Sequence, residues 1–188
     1  EYRGIRENTK WLFIVVGGIT ILSILFAPEL IVILGGNKYE ESIWLVPPIA
    51  ISVYFLFVYS MFSNISFYYK MNKLISLVSM GAALSNIVLN YIFINMFGYQ
   101  AAAYTTLLCY ILLAFSHFFL YRFLLKKEEI HEELYNIKMI VLISLLLLVI
   151  LFFILVIYKS VFIRYATIGV LLSVLFTMRQ KIMGAIKN

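Results

Sequence analysis

A chain of 188 residues that is 64% apolar and 13% charged, with a mean hydropathy of +1.00, has too little polar surface to coat a water-soluble core. Its 15 Lys and Arg against 9 Asp and Glu give a net charge of +6. The charges lie in the gaps between apolar runs rather than in one patch, which excludes nucleic acid as a partner and matches the loops of a membrane protein. Apolar runs of ~18 or more residues read as spanning helices, so the expected fold is an all-α polytopic membrane protein with six transmembrane helices in the lipid bilayer.

In chain order, a polar and basic opening (Arg3, Arg6, Lys10) precedes a first run from Trp11 to Leu34. At ~1.5 Å per residue it can cross a ~30 Å hydrocarbon core with tilt. It is too long and too internal for a cleavable signal peptide. Gly35-Gly36-Asn37 supplies its C-terminal stop. The second run, Ile43–Phe67, carries Pro47-Pro48 in its first turns, where missing N–H groups cost least. The third, Leu74–Phe97, and fourth, Ala101–Leu125, form a hairpin about Gly98-Tyr99, and the other runs are expected to build around it. The charged connector Lys126–Leu134 is expected to be a short amphipathic surface helix. The fifth run, Ile137–Ile157, is almost pure Leu, Ile, Val and Phe and is expected to face lipid; the sixth is Val161–Met178, before a basic tail. The expected organisation is thus 1–125 as four helices of one body, 126–136 as a cytoplasmic connector, and 137–188 as a terminal helix pair with its tail.

Orientation follows from where Lys and Arg lie. With the N-terminus inside, the inner segments hold 12 of the 15, and only Lys38, Lys159 and Arg164 remain outside. Both termini are therefore expected to be cytoplasmic.

Polar groups inside apolar runs are the candidates for function, because each must find a partner or a wet cavity. Ser79, Ala82, Ala83, Asn86 and Asn90 share one stripe of the third run; it reads first as close helix packing and second as the wall of a substrate path. Tyr59, Ser60, Ser63 and Asn64 form a similar patch on the second run, with the same two readings. Glu29 is either an interfacial carboxylate reaching water or a gating or proton-coupling group, and His117 either a packed neutral imidazole or a protonatable switch. Arg122 and Arg164 sit near run ends, where long side chains snorkel; Arg122 is also a candidate for a lipid-phosphate contact. Cys109, the single cysteine, reads as a small packing residue. The Glu128–Glu133 segment, with His131, lacks the second histidine of a metal-binding helix and reads as a solvated face, so no metal site is assigned. No convergent set of acids, bases and nucleophiles points to an enzyme, so a catalytic site is not expected.

Three patterns together resemble the Wzx-type flippases of bacterial surface polysaccharide synthesis, a branch of the multidrug/oligosaccharidyl-lipid/polysaccharide exporter superfamily with a MATE-like fold. They are Phe26-Ala-Pro-Glu-Leu-Ile-Val-Ile-Leu-Gly-Gly36 with Tyr39, the Pro47-Pro48 helix through Tyr54 to Phe67, and Asn86-x-x-x-Asn90 through Phe97-Gly-Tyr99 to Ala101–Ala103 and Thr105-Thr106. The resemblance implies the last four helices of a C-terminal lobe followed by an extra pair. The N-terminal lobe of the same chain would be missing, which agrees with a first residue, Glu1, that is not Met. It implies translocation of an undecaprenyl-diphosphate-linked oligosaccharide across the bacterial cytoplasmic membrane by alternating access, for O-antigen, capsule or exopolysaccharide. Tyr59, Ser60, Asn64, Asn86 and Asn90 would border the path. No cofactor is implied beyond coupling to a proton or sodium gradient, and a polysaccharide polymerase is a candidate partner. The alternatives are a membrane-embedded glycan polymerase or acyltransferase, or a non-catalytic membrane subunit of the same pathway.

Overall fold

The computed structural model describes residues 2–187, and every regular element among them is helical. Six helices are long and apolar enough to cross a membrane. The elements are α1 (Tyr2–Leu25), α2 (Ala27–Gly35), a 3-10 segment (Asn37–Leu45), α3 (Val46–Tyr68), α4 (Asn72–Phe97), α5 (Ala101–Lys127), α6 (Ile137–Lys159) and α7 (Val161–Lys187). The chain falls into two compact units, one made of residues 1–47 and 132–188, the other of residues 48–131.

In the first unit α1 is the central element, packed along α6 and α7. The polar opening is helical from Tyr2, so α1 begins well before the apolar run. Its charges fall at helical spacing, with Lys10 Nζ 4.0 Å from Glu7 one turn earlier. The expected single run to Leu34 is divided at Phe26. Pro28 sits in the first turn of α2, where its missing N–H breaks no bond, and the amides of Phe26 and Leu30 still donate along the axis to Leu22 and Phe26 at 2.9 Å. The fifth run is mostly exposed, as expected of a lipid-facing helix, with Leu142, Leu145, Val149 and Phe152 on the open side, but it also has one buried stripe. Helix α6 buries Ile140, Ile143, Leu147 and Ile154, and Ile143 approaches α1 where Gly17 leaves space: a Cβ there would stand 2.7 Å from Ile143 Cγ2.

In the second unit α4 and α5 are the most extensive helix pair. The turn between them rests on Gly98, whose φ of +81° favours a residue without a Cβ, and its amide caps α4 on the Ile94 carbonyl at 2.9 Å. The hairpin is therefore where the sequence placed it. It is not the hub of the whole chain, since the first unit has α1 at its centre. Helix α4 is the least covered span, with Leu77, Leu84, Ile87, Val88 and Tyr91 all exposed. The connector after α5 is not an amphipathic helix: Glu129 takes a left-handed φ of +54° directly after the last turn, and the chain stays irregular to Asn136. An L-residue in that region ends a helix. Leu134 and Tyr135 of the connector are buried.

Candidate functional site

The polar stripe of α4 meets α5 in a chain of hydrogen bonds. Asn90 Nδ2 donates to Asn86 Oδ1 at 3.0 Å, one turn back on the same helix. The Thr105 hydroxyl, on α5, donates to Asn90 Oδ1. Thr105 is 5% exposed, and the carbonyls of Ala101 and Ala102 lie at 3.2 and 3.0 Å as alternative acceptors for its single proton. Asn90 thus has both ends of its amide engaged inside the helix pair, which answers the cost of placing an amide among apolar side chains.

Toward the N-terminal half of α4 the two helices part. Ser79, Ala82, Ala83 and Asn86 on α4 face Thr106, Cys109, Tyr110 and Leu113 on α5 across a groove of about 290 Å³. Small side chains on α4 leave this volume, which is enough for several waters. Its polar groups are Ser79, Asn86, Thr106 and Tyr110. Ser79 Oγ is buried with no hydrogen-bond partner. A second groove of about 350 Å³, lined by Phe93, Phe97, Gln100, Tyr104, Thr105 and others, lies at the turn end of the same pair and is mainly apolar.

The two readings of the α4 stripe therefore divide along its length. Asn90 belongs to packing, Ser79 and the small residues belong to an open groove, and Asn86 joins the two. On the α5 side, Thr105-Thr106 entered the sequence reading only as part of the resemblance, with no role assigned, and Tyr110 was not singled out. A Thr-Thr pair one turn into a helix that opens with three alanines was the available signal.

The patch on α3 does not line this groove. Asn64 is exposed, and the Ser60 hydroxyl returns to its own helix at Phe57 O, 2.8 Å away. Tyr59 packs edge-on against His117 of α5 with ring centroids 4.6 Å apart. His117 has no exposed surface and no hydrogen-bond partner on either ring nitrogen, so it is packed rather than placed on the groove. Arg122 is exposed near the end of α5, five residues before Lys127.

Glu29 and Arg164 form a second polar cluster, confined to the first unit. Glu29 Oε1 accepts from Arg164 Nη2 and, at 2.7 Å, from the Tyr165 hydroxyl, so the first turns of α2 and α7 are tied together. Arg164 does not snorkel: its side chain is 7% exposed against 28% for Glu29. Nearby, the Tyr158 hydroxyl donates to the Ile24 carbonyl at 2.8 Å, and the Tyr158 ring lies against Trp44 at 5.4 Å. The sequence put Glu29 and Arg164 at the same end of their spans, and opposite charges at one depth were the signal for this pair.

Among the described residues no three His, Cys, Asp or Glu side chains gather as a metal site would require. No protein-family model, no curated protein and no solved structure matches the chain.

Proposed function

We propose that the chain is part of a flippase that moves a lipid-linked oligosaccharide across the bacterial cytoplasmic membrane for surface polysaccharide synthesis. The observation that carries this reading is the α4–α5 groove. It brings small residues, an amide and hydroxyls together within two helices long and apolar enough to span a bilayer. Polar groups in such helices face protein or water, and a cavity that holds water is where a sugar head can travel while its lipid tail stays in hydrocarbon. The resemblance in the Phe26–Gly36, Pro47–Phe67 and Asn86–Thr106 stretches gives the cargo class. In this reading the groove is one wall of a midplane path, the rest of which belongs to a second lobe. The lobes rock to open the path to each side in turn, driven by a proton or sodium gradient. An even number of spans and the inner bias of Lys and Arg support a reading in which both ends face the cytoplasm.

A second reading, a non-catalytic membrane subunit whose helices brace a partner, is favoured by one observation: the Thr105–Asn90 bond closes part of the polar stripe inside the helix pair. Replacing Asn86 and Asn90 with leucine in the full-length chain separates the two. A path wall predicts loss of surface polysaccharide from Asn86→Leu at normal protein level. A brace predicts that Asn86→Leu is silent while Asn90→Leu lowers the amount of protein. Normal polysaccharide at normal protein level from both variants removes the path reading.

A further inference from the structure

Helical hydroxyls in this chain mostly turn back onto their own backbone. Thr9, Thr20, Ser52, Ser60 and Ser116 each donate to a carbonyl three or four residues earlier at 2.7–2.8 Å. This is the usual way a hydroxyl is satisfied in an apolar helix. Ser63 and Ser66 of α3 break the pattern. They are 2% and 0% exposed, and neither Oγ has a partner.

His117 of α5 is in the same state, fully buried with Nδ1 and Nε2 both unpartnered. A neutral imidazole carries one donor and one acceptor, and a serine hydroxyl carries both. Leaving such a group unsatisfied is costly, and native interiors rarely leave several together.

The ring contacts set these residues in register. Tyr59 meets His117 at 4.6 Å, and Phe62 meets Phe118 and Tyr121 at 5.5 and 5.3 Å. Helices α3 and α5 therefore run side by side in the same direction, spaced by aromatic rings. Ser63 follows Tyr59 by four residues and Ser66 follows Ser63 by three, so Tyr59, Ser63 and Ser66 share one stripe. Tyr59 of that stripe is the residue that meets His117, and Phe62, beside Ser63, meets Phe118 and Tyr121. The second unit alone contains all of these residues.

We propose that the α3–α5 seam is an internal hydration site, in which water bridges the His117 imidazole to the Ser63 and Ser66 hydroxyls. Buried waters typically make about three hydrogen bonds to groups of this kind, and this seam offers donors and acceptors from two helices. His117 is then a wet residue inside a membrane span, able to exchange protons although no part of its surface is exposed. The inference rests on α3 and α5 and holds whatever the chain carries.

Deuterium exchange at the imidazole C2 position, followed by mass spectrometry of the full chain in lipid nanodiscs, tests it, because that exchange needs water and its ions at the ring. The chain has two histidines, and His131 in the exposed connector is the internal reference. A hydrated seam predicts exchange at His117 within ~10-fold of the rate at His131. No measurable exchange at His117 while His131 goes to completion overturns the proposal. In the S63A/S66A double variant the His117 rate should fall by ~3-fold or more with His131 unchanged. An unchanged His117 rate in a folded double variant overturns the serine bridge. Should that variant fail to fold, the comparison of the two histidines in the unaltered chain decides alone.

Discussion

At the scale of single residues, the chain shows three different answers to the cost of a polar group among apolar ones. Glu29 and Arg164 neutralise each other across 135 positions of sequence. Breaking such a pair from one side leaves a buried charge, whereas removing both partners does not. Glu29→Gln should therefore destabilise the protein by on the order of 3 kcal/mol, read as a lowered thermal midpoint in detergent, and Glu29→Gln with Arg164→Met should recover most of that loss. Equal loss in the single and double variants would show that packing around Arg164, not charge, is what matters. Asn90 is answered by a neutral partner. Thr105→Val should cost about 0.6–1.7 kcal/mol, the range for hydrogen bonds between membrane helices, measured the same way. Asn86, at the edge of the groove, accepts from the amide of Asn90 and turns to an open groove rather than to a partner on α5.

At the scale of elements, most of the helices were legible because an apolar run of spanning length has few alternatives. The ends of α4 and α5 at Phe97 and Ala101 were readable in Gly98, since the turn needs its positive φ. The Tyr2–Lys10 stretch was not legible as helix, because charge reads as loop when the apolar period stops, although Glu7 and Lys10 keep the helical spacing. The connector failed the other way. Its alternating charge and apolar residues suggested a surface helix, but the left-handed Glu129 and the buried Leu134 and Tyr135 are set by tertiary packing that periodicity does not report. The same limit applied to α6, whose uniform apolar composition hid a buried face. That face gives a prediction. Gly17→Val would drive a branched side chain into Ile143 and should weaken the α1–α6 contact by about 1–3 kcal/mol. Adding Ile143→Ala should restore part of the stability, and a strictly additive cycle in thermal denaturation would deny the contact. Gly18→Ala, where the nearest atoms of Leu175 lie at 3.4 Å, should be much milder.

At the scale of the whole molecule, the candidate site was half legible. Its α4 wall could be read from Ser79, Ala82, Ala83 and Asn86 at helical spacing, while the α5 wall of Thr106, Cys109, Tyr110 and Leu113 emerges only once the hairpin is folded. The α3 patch is a separate feature, with Asn64 exposed and Tyr59 engaged by His117. A path along this groove requires α4 to have one wet face and one lipid face within a membrane. Cysteine scanning along α4 in a Cys109→Ala background, in membranes and with a water-soluble thiol reagent, tests this most directly. The account predicts labelling at 79, 82, 83 and 86 and protection at 77, 84, 87 and 88, a helical period that follows the groove. Uniform protection of all eight positions, or labelling on the Leu84 face, would contradict it.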